Sequence, residues 1–138
     1  LTSLDLSSFN TSLITDMSYM FFSCKNIKSL DLSTFNTSSV TNLNLMFYEC
    51  NNLISLNLRN WNTNSVVDMI GMFFNCQNFN ADLNDWDVSK VENMIGMFYD
   101  CNNFNSDLSN WDVSNVKDMK SMFWQCKSLK KKPDWYKK

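Results

Sequence analysis

The side chains most suited to chemistry are five cysteines, Cys24, Cys50, Cys76, Cys101 and Cys126, each closing a Met-Phe-x-x-Cys motif, at spacings of 26, 26, 25 and 25 residues. A thiol column can hold zinc, form disulfides or supply nucleophiles. Zinc needs clustered thiolates or imidazoles, and the chain has no Cys-x-x-Cys pair and no histidine. The lack of histidine also removes the Ser-His-Asp and Cys-His systems, and with Gly71 and Gly96 as its only glycines the chain has no glycine-rich phosphate cradle. On stacked helices about 8 to 10 Å apart, the cysteines would exceed the roughly 7 Å Cα reach of a disulfide. The column therefore reads as five free thiols in a core. No catalytic residue, metal or cofactor is expected, and the chain reads as non-enzymatic.

A second column is Asp5, Asp31, Asn57, Asp82 and Asp107, each preceding a strand leucine and expected to point away from the core. Stacked strands would hold these groups about 5 Å apart, where like charges repel. Solvation, calcium or a basic partner would account for them, calcium being a lesser alternative. Asp85, Asp87 and Asp112 extend the acidic zone. Carboxylates about 5 Å apart also match a retaining glycosidase, but without a shaped pocket the coincidence carries no catalysis. A third column, Phe22, Tyr48, Phe74, Tyr99 and Trp124, falls about 140° round a helix from its apolar centre. It either packs sideways on the next repeat or forms an exposed stripe for a protein partner.

The elements that must position these columns follow from the repeat. A fixed period of this length marks an array in which each unit leans on its neighbours. Ile14, Met17, Met20, Phe21 and Cys24 have helical spacing, which predicts a short helix with Thr15 or Asp16 as its N-cap. Asn42, Asp68, Asn93 and Asp118 hold the same place. Asn26, Asn52, Asn78, Asn103 and Ser128, two residues past each cysteine, read as left-handed C-caps. Ile27-x-x-Leu30-x-Leu32 and Leu53-x-x-Leu56-x-Leu58 predict short strands with inward leucines. Phe9, Phe35, Trp61, Trp86 and Trp111 form an aromatic column assigned to the core. In the later repeats the stretch from Cys to Leu is one residue shorter, and Ala81 and Ser106 replace a strand leucine, which predicts a shortened or bent sheet there. Asn10-Thr11-Ser12 and Asn36-Thr37-Ser38 match a glycosylation acceptor pattern but read as copies of one turn.

Composition agrees with an array. The chain has 138 residues, 44% of them hydrophobic, and its 21 Asn against 2 Gly and 1 Pro make Asn the main source of turn geometry. Residues 1–126 carry 13 acidic and 6 basic groups, while residues 127–138 carry 6 Lys against Asp134. An acidic body argues against nucleic acid, whose backbone demands clustered Lys and Arg. The tail, with Pro133 and Trp135 among its lysines, reads as a C-terminal cap, a basic recognition tail being the alternative. Leu1 to Leu6 already match the middle of a repeat, so a piece of a longer array is expected, with any targeting signal or membrane anchor outside it.

The blocks Asp-Leu-Ser-x-Phe-Asn-Thr-Ser, Thr-Asp-Met-Ser-Tyr-Met-Phe-x-x-Cys and Trp-Asp-Val-Ser-x-Val resemble the BspA-like repeat family of bacterial, mycoplasma-type surface lipoproteins, a divergent leucine-rich-repeat type. The likeness covers residues 1–129, with 130–138 outside it. It implies an α/β repeat solenoid of about five 25–26-residue units, each with a short strand and a short helix, on an exported or lipid-anchored parent. It also implies adhesion to host or neighbouring-cell proteins, and no catalytic residues. The resulting expectation is a cell-surface protein-interaction module whose partner meets the strand face or the aromatic column, or else a structural spacer or variable antigen without a specific ligand.

Overall fold

From Met17 to Cys24 the backbone N–H groups alternate between two destinations. Met17, Tyr19, Phe21 and Ser23 donate to the carbonyls of Asn42, Asn44, Met46 and Tyr48, whereas Met20, Phe22 and Cys24 donate back to Met17, Tyr19 and Phe21, three residues earlier. This is a run of overlapping turns cross-linked to the next repeat. The computed structural model describes residues 2–136, and among them there is no α-helix. Leu1, Lys137 and Lys138, which the sequence reading places in the first repeat and the basic tail, lie outside the described residues.

The expected α/β repeat of leucine-rich type with one helix per unit is therefore corrected: each predicted helix is a chain of turns. Two features force the change. Tyr19 and Ser23, Leu45 and Glu49, Gly71 and Asn75, Gly96 and Asp100, and Ser121 and Gln125 all have φ between 55° and 62°, so every fourth residue is left-handed. An α-helix cannot contain such residues. Each N–H then meets a carbonyl either three residues back or one repeat ahead, so the segment has its backbone partners without helical i to i−4 bonds.

The same bonding recurs at each junction, so the chain stacks as coils: residues 2–24, 25–50, 51–76, 77–101 and 102–126, followed by a tail. Parallel bridges link Asp16 to Asn42, Asn42 to Asp68, Asp68 to Asn93 and Asn93 to Asp118. Regular strand occurs in two coils, as β1 (Ser29–Asp31) and β2 (Ser55–Asn57), paired in parallel with Leu30 opposite Leu56. The strands expected in the last two coils are absent. There the shorter Cys-to-Leu segment and Ala81 or Ser106 remove the leucine that would seat a strand on the core.

Within the stack, Phe21, Phe47, Phe73, Phe98 and Phe123 form a buried file with adjacent centroids 5.4–5.8 Å apart. Met46, Met72, Met97 and Met122 fill the space beside them. Phe35, Trp61, Trp86 and Trp111 are buried as expected of a core column, but Phe9 in the first coil is 59% exposed. At the far end, Trp135 stacks on Trp111 with centroids 6.2 Å apart and donates its indole N–H to the Leu108 carbonyl at 2.9 Å. Tyr136 meets Phe123 edge-on at 5.0 Å.

Candidate functional site

Each coil turns at two places where an Asn or Asp side chain accepts the N–H of the residue two positions on, and three of the coils do so at a third. At the first, Asp5, Asp31, Asn57, Asp82 and Asp107 accept from Ser7, Ser33, Arg59, Asn84 and Ser109 at 2.9–3.0 Å. Asn10, Asn36, Asn62, Asp87 and Asp112 do so at the second. Asp16, Asn42 and Asp118 do so at the third. These are Asx turns, which suit short side chains ending in an acceptor. The carboxylate column that seemed to need solvation, calcium or a partner thus has a local task at every level. The residues read as N-caps, Asp16, Asn42 and Asp118, make the cap's hydrogen bond with no helix behind it.

Those bonds also set the charges. Asp5 and Asp31 are held below the usual carboxylate range first by the hydroxyls of Ser7 and Ser33 and then by their N–H groups. Asp107 is held down first by the N–H of Ser109. Ser89 and Ser114 do the same, hydroxyl first, for Asp87 and Asp112. No group of three or more His, Cys, Asp or Glu converges on a common point among the described residues.

The cysteines are all free, though for a different reason from the helix spacing expected. Neighbouring coils are separated by the short step of a hydrogen-bonded ladder. Four of the thiols instead donate one coil back: Cys50 to the Phe21 carbonyl at 3.1 Å, Cys76 to Phe47 and Cys101 to Phe73 at 2.9 Å, and Cys126 to Phe98 at 3.0 Å. Burial pushes Cys76 and Cys101 well above the ordinary thiol range and Cys126 up to about 11. Thiols of this kind are inert packing groups.

The residues expected to be left-handed C-caps are not left-handed. The positive φ lies at the residue before each cysteine. Asn52 and Asn78 instead donate side-chain N–H groups to the carbonyls of Lys25 and Asn51 in the preceding coil, both at 2.8 Å.

The third column forms the most extended feature of the surface. Phe22 lies 4.8 Å from Tyr48, Tyr48 4.8 Å from Phe74, Phe74 4.4 Å from Tyr99 and Tyr99 6.4 Å from Trp124, centroid to centroid, with interplanar angles of 3°, 18°, 1° and 23°. Phe22 and Trp124 are exposed and the middle three half-buried, so the faces are spent on one another and the edges meet solvent. Both readings of the column are therefore partly realised: it packs on its neighbours and still forms an outward stripe. Gly71 and Gly96 lie beside it, and a Cβ built on Gly96 would meet the Phe74 ring at 3.4 Å.

Two further features went unread in the sequence. Thr11 and Thr37 are buried, and each hydroxyl donates to the carbonyl of Asn36 or Asn62 while accepting that residue's N–H, at 2.8–3.2 Å. The apparent glycosylation pattern is thus a staple between coils, and a buried hydroxyl requires such partners. The second feature is an open cleft of about 570 Å3 between the third and fourth coils, lined by residues 56–61 and by Ala81, Asp82, Asp85 and Trp86. The lost leucine at Ala81 was its signal.

No curated protein and no solved structure matches the chain. A family described as Mycoplasma protein of unknown function, DUF285, matches over residues 2–56 and again over 50–137. The two matches together span nearly the whole chain, so it belongs to this Mycoplasma family of unknown function.

Proposed function

We propose that the chain is a non-enzymatic protein-interaction module of a mycoplasma-type surface protein, adhering to host or neighbouring-cell proteins. The observation that carries this reading is the ladder of Phe22, Tyr48, Phe74, Tyr99 and Trp124, which runs unbroken through all five coils. Exposed aromatic edges in a continuous line suit a protein partner, because they combine large apolar area with few rotors to immobilise. The likeness of the repeat blocks to BspA-like surface proteins supports the same reading and supports a place at the cell surface. No helix among the described residues is long and apolar enough to cross a membrane, so the reading places any anchor outside this chain.

The aromatic ladder replaces the acidic strand face as the favoured extended docking surface, since one oxygen of each of the carboxylates Asp31, Asp82 and Asp107 already accepts an N–H within a turn. That same observation favours a second reading, a structural spacer or variable antigen whose acidic column serves the fold alone. Capture of the purified chain on immobilised extracellular-matrix and serum proteins separates the two. Saturable binding lost in a Tyr48→Ser, Tyr99→Ser variant supports the module, and no binding by the wild type supports the spacer.

A further inference from the structure

We infer that the cleft between the third and fourth coils is a binding site for an extended peptide segment carrying a lysine or arginine, donated by a protein partner. In β2, Ser55 and Asn57 face the preceding coil: Ser55 donates to the Lys28 carbonyl at 3.1 Å and Asn57 accepts from Leu32 at 3.0 Å. Residues alternate in a parallel ladder, so Leu56 turns its N–H and carbonyl, and Leu58 its N–H, the other way, towards the fourth coil, while the Leu58 carbonyl accepts the Trp61 N–H at 3.2 Å. No backbone group of Asn80, Ala81 or Asp82 reaches them. The side chains register the gap, since Leu30 and Leu32 are 3% and 0% exposed while Leu56 and Leu58 are only half-buried.

The tryptophans supply an independent sign. Trp61, Trp111 and Trp135 each donate an indole N–H to the leucine carbonyl one coil back, Leu32, Leu83 and Leu108, at 2.9–3.0 Å. The corresponding acceptor for Trp86 is Leu58, across the cleft, and that bond is absent among the described residues although Trp86 is only 8% exposed. The unpartnered Trp86 indole N–H, the Leu56 N–H and carbonyl, and the Leu58 N–H therefore all lie at one space. Backbone groups repeating every second residue are what an added strand pairs with.

Charge selects the peptide. Arg59 lies on the β2 side, where it helps hold the Asp31 carboxyl down. Asp82 and Asp85 line the opposite side, exposed and without a salt bridge among the described residues. A cationic side chain next to the paired backbone completes the site. This inference rests on the interaction-module reading but uses a different surface from the aromatic ladder.

The test is fluorescence anisotropy with a labelled eight-residue peptide of alternating Thr and Val around a central Lys. Twins carry Glu for the Lys, or Pro at every second position to remove N–H donors. The Lys peptide is expected to saturate the wild-type chain, with affinity about tenfold weaker for Asp82→Asn, Asp85→Asn and for either twin. It should bind unchanged to the Tyr48→Ser, Tyr99→Ser chain. Amide exchange gives a second readout: the Leu56 and Leu58 N–H groups should exchange freely, unlike that of Leu32, and slow on peptide addition. No saturation, equal binding of the Pro twin, or indifference to the Asp82 and Asp85 changes would overturn the site. Loss of matrix-protein capture in the ladder variant alone would leave the ladder reading standing whatever the peptide does.

Discussion

The thiol of Cys76 donates to the Phe47 carbonyl, 2.9 Å away and one coil back. The contact places a weak donor on a carbonyl that already accepts the N–H of Cys50 from within its own coil. Cys76→Ala removes the sulfur and its packing together, and is expected to cost about 1 to 3 kcal/mol in urea unfolding. Cys76→Ser keeps a donor but shrinks the group, and should fall between the two.

Thiol chemistry follows from burial. In the native chain, Cys24, which is half-buried, should react first with a thiol reagent, and all five should titrate once the chain is unfolded. Because folding raises the pKa of Cys76, Cys101 and Cys126, their contribution is fully present below the unfolded thiol value of 9.0 and is lost as pH rises towards the folded values, about 11 for Cys126. Stability by denaturant titration should therefore decline from about pH 9 upward, and a chain with these three cysteines changed to Ala should lose that slope.

Carboxylates give the opposite limb. Asp5, Asp31, Asp87, Asp107 and Asp112 have folded values below 3.8, so their contribution is present above that pH and is lost as pH falls through the folded values. Since N–H and hydroxyl groups of the turns already bond these carboxylates, addition of a chelator should leave the melting temperature unchanged. A fall on chelation would restore calcium to the Asp31, Asp82 and Asp107 column.

Thr37 reaches the Asn62 carbonyl and N–H at 3.0 and 2.9 Å. Thr37→Val keeps the shape and strands both groups, and should destabilise by about 1 to 2 kcal/mol. Thr37→Ser keeps the hydroxyl and should cost less.

Gly96 has φ of 59° beside the Phe74 ring. Gly96→Ala should cost about 1 kcal/mol by calorimetry, the left-handed penalty of an L residue, with the new methyl in ordinary contact with the ring. Gly71→Ala adds a contact of 2.7 Å with the tip of Leu45 and should cost somewhat more.

The repeat period, the buried files and the side-chain acceptors at Asp16, Asn42 and Asp118 were legible because they depend on which residues recur, and recurrence is written in the chain. The helix was misread for a physical reason. Turns repeating every four residues place Leu43, Met46, Phe47 and Cys50 inward much as a period of 3.6 would, so apolar spacing cannot separate the two. The clue lay in Gly71, Gly96 and Asn75, residues tolerant of positive φ in the middle of a supposed helix. The turn role of the Asp column was hidden by considering charge before local hydrogen bonding, although Asp-x-Ser recurs at Asp5, Asp31 and Asp107. At Ala81 the lost leucine announced a change in the sheet, but the open cleft required three dimensions. A far-UV dichroism spectrum without the helical double minimum is the quickest check on the corrected fold.

The break beside β2 also bears on how the chain would carry load. Turn segments and parallel bridges join neighbouring coils at every junction, but on the strand side only the second and third coils are laddered, so a pull along the stack is borne mainly by the turn side. Backbone bonds are missing both between Leu56–Leu58 and Ala81–Leu83 and between Ala81–Leu83 and Ser106–Leu108. Under tension these coils should peel from their strand side before the β1–β2 pair does, each released coil paying out roughly 80 Å of tether at about 3.3 Å per residue. An array built this way would yield to shear in steps while the laddered second and third coils stayed folded.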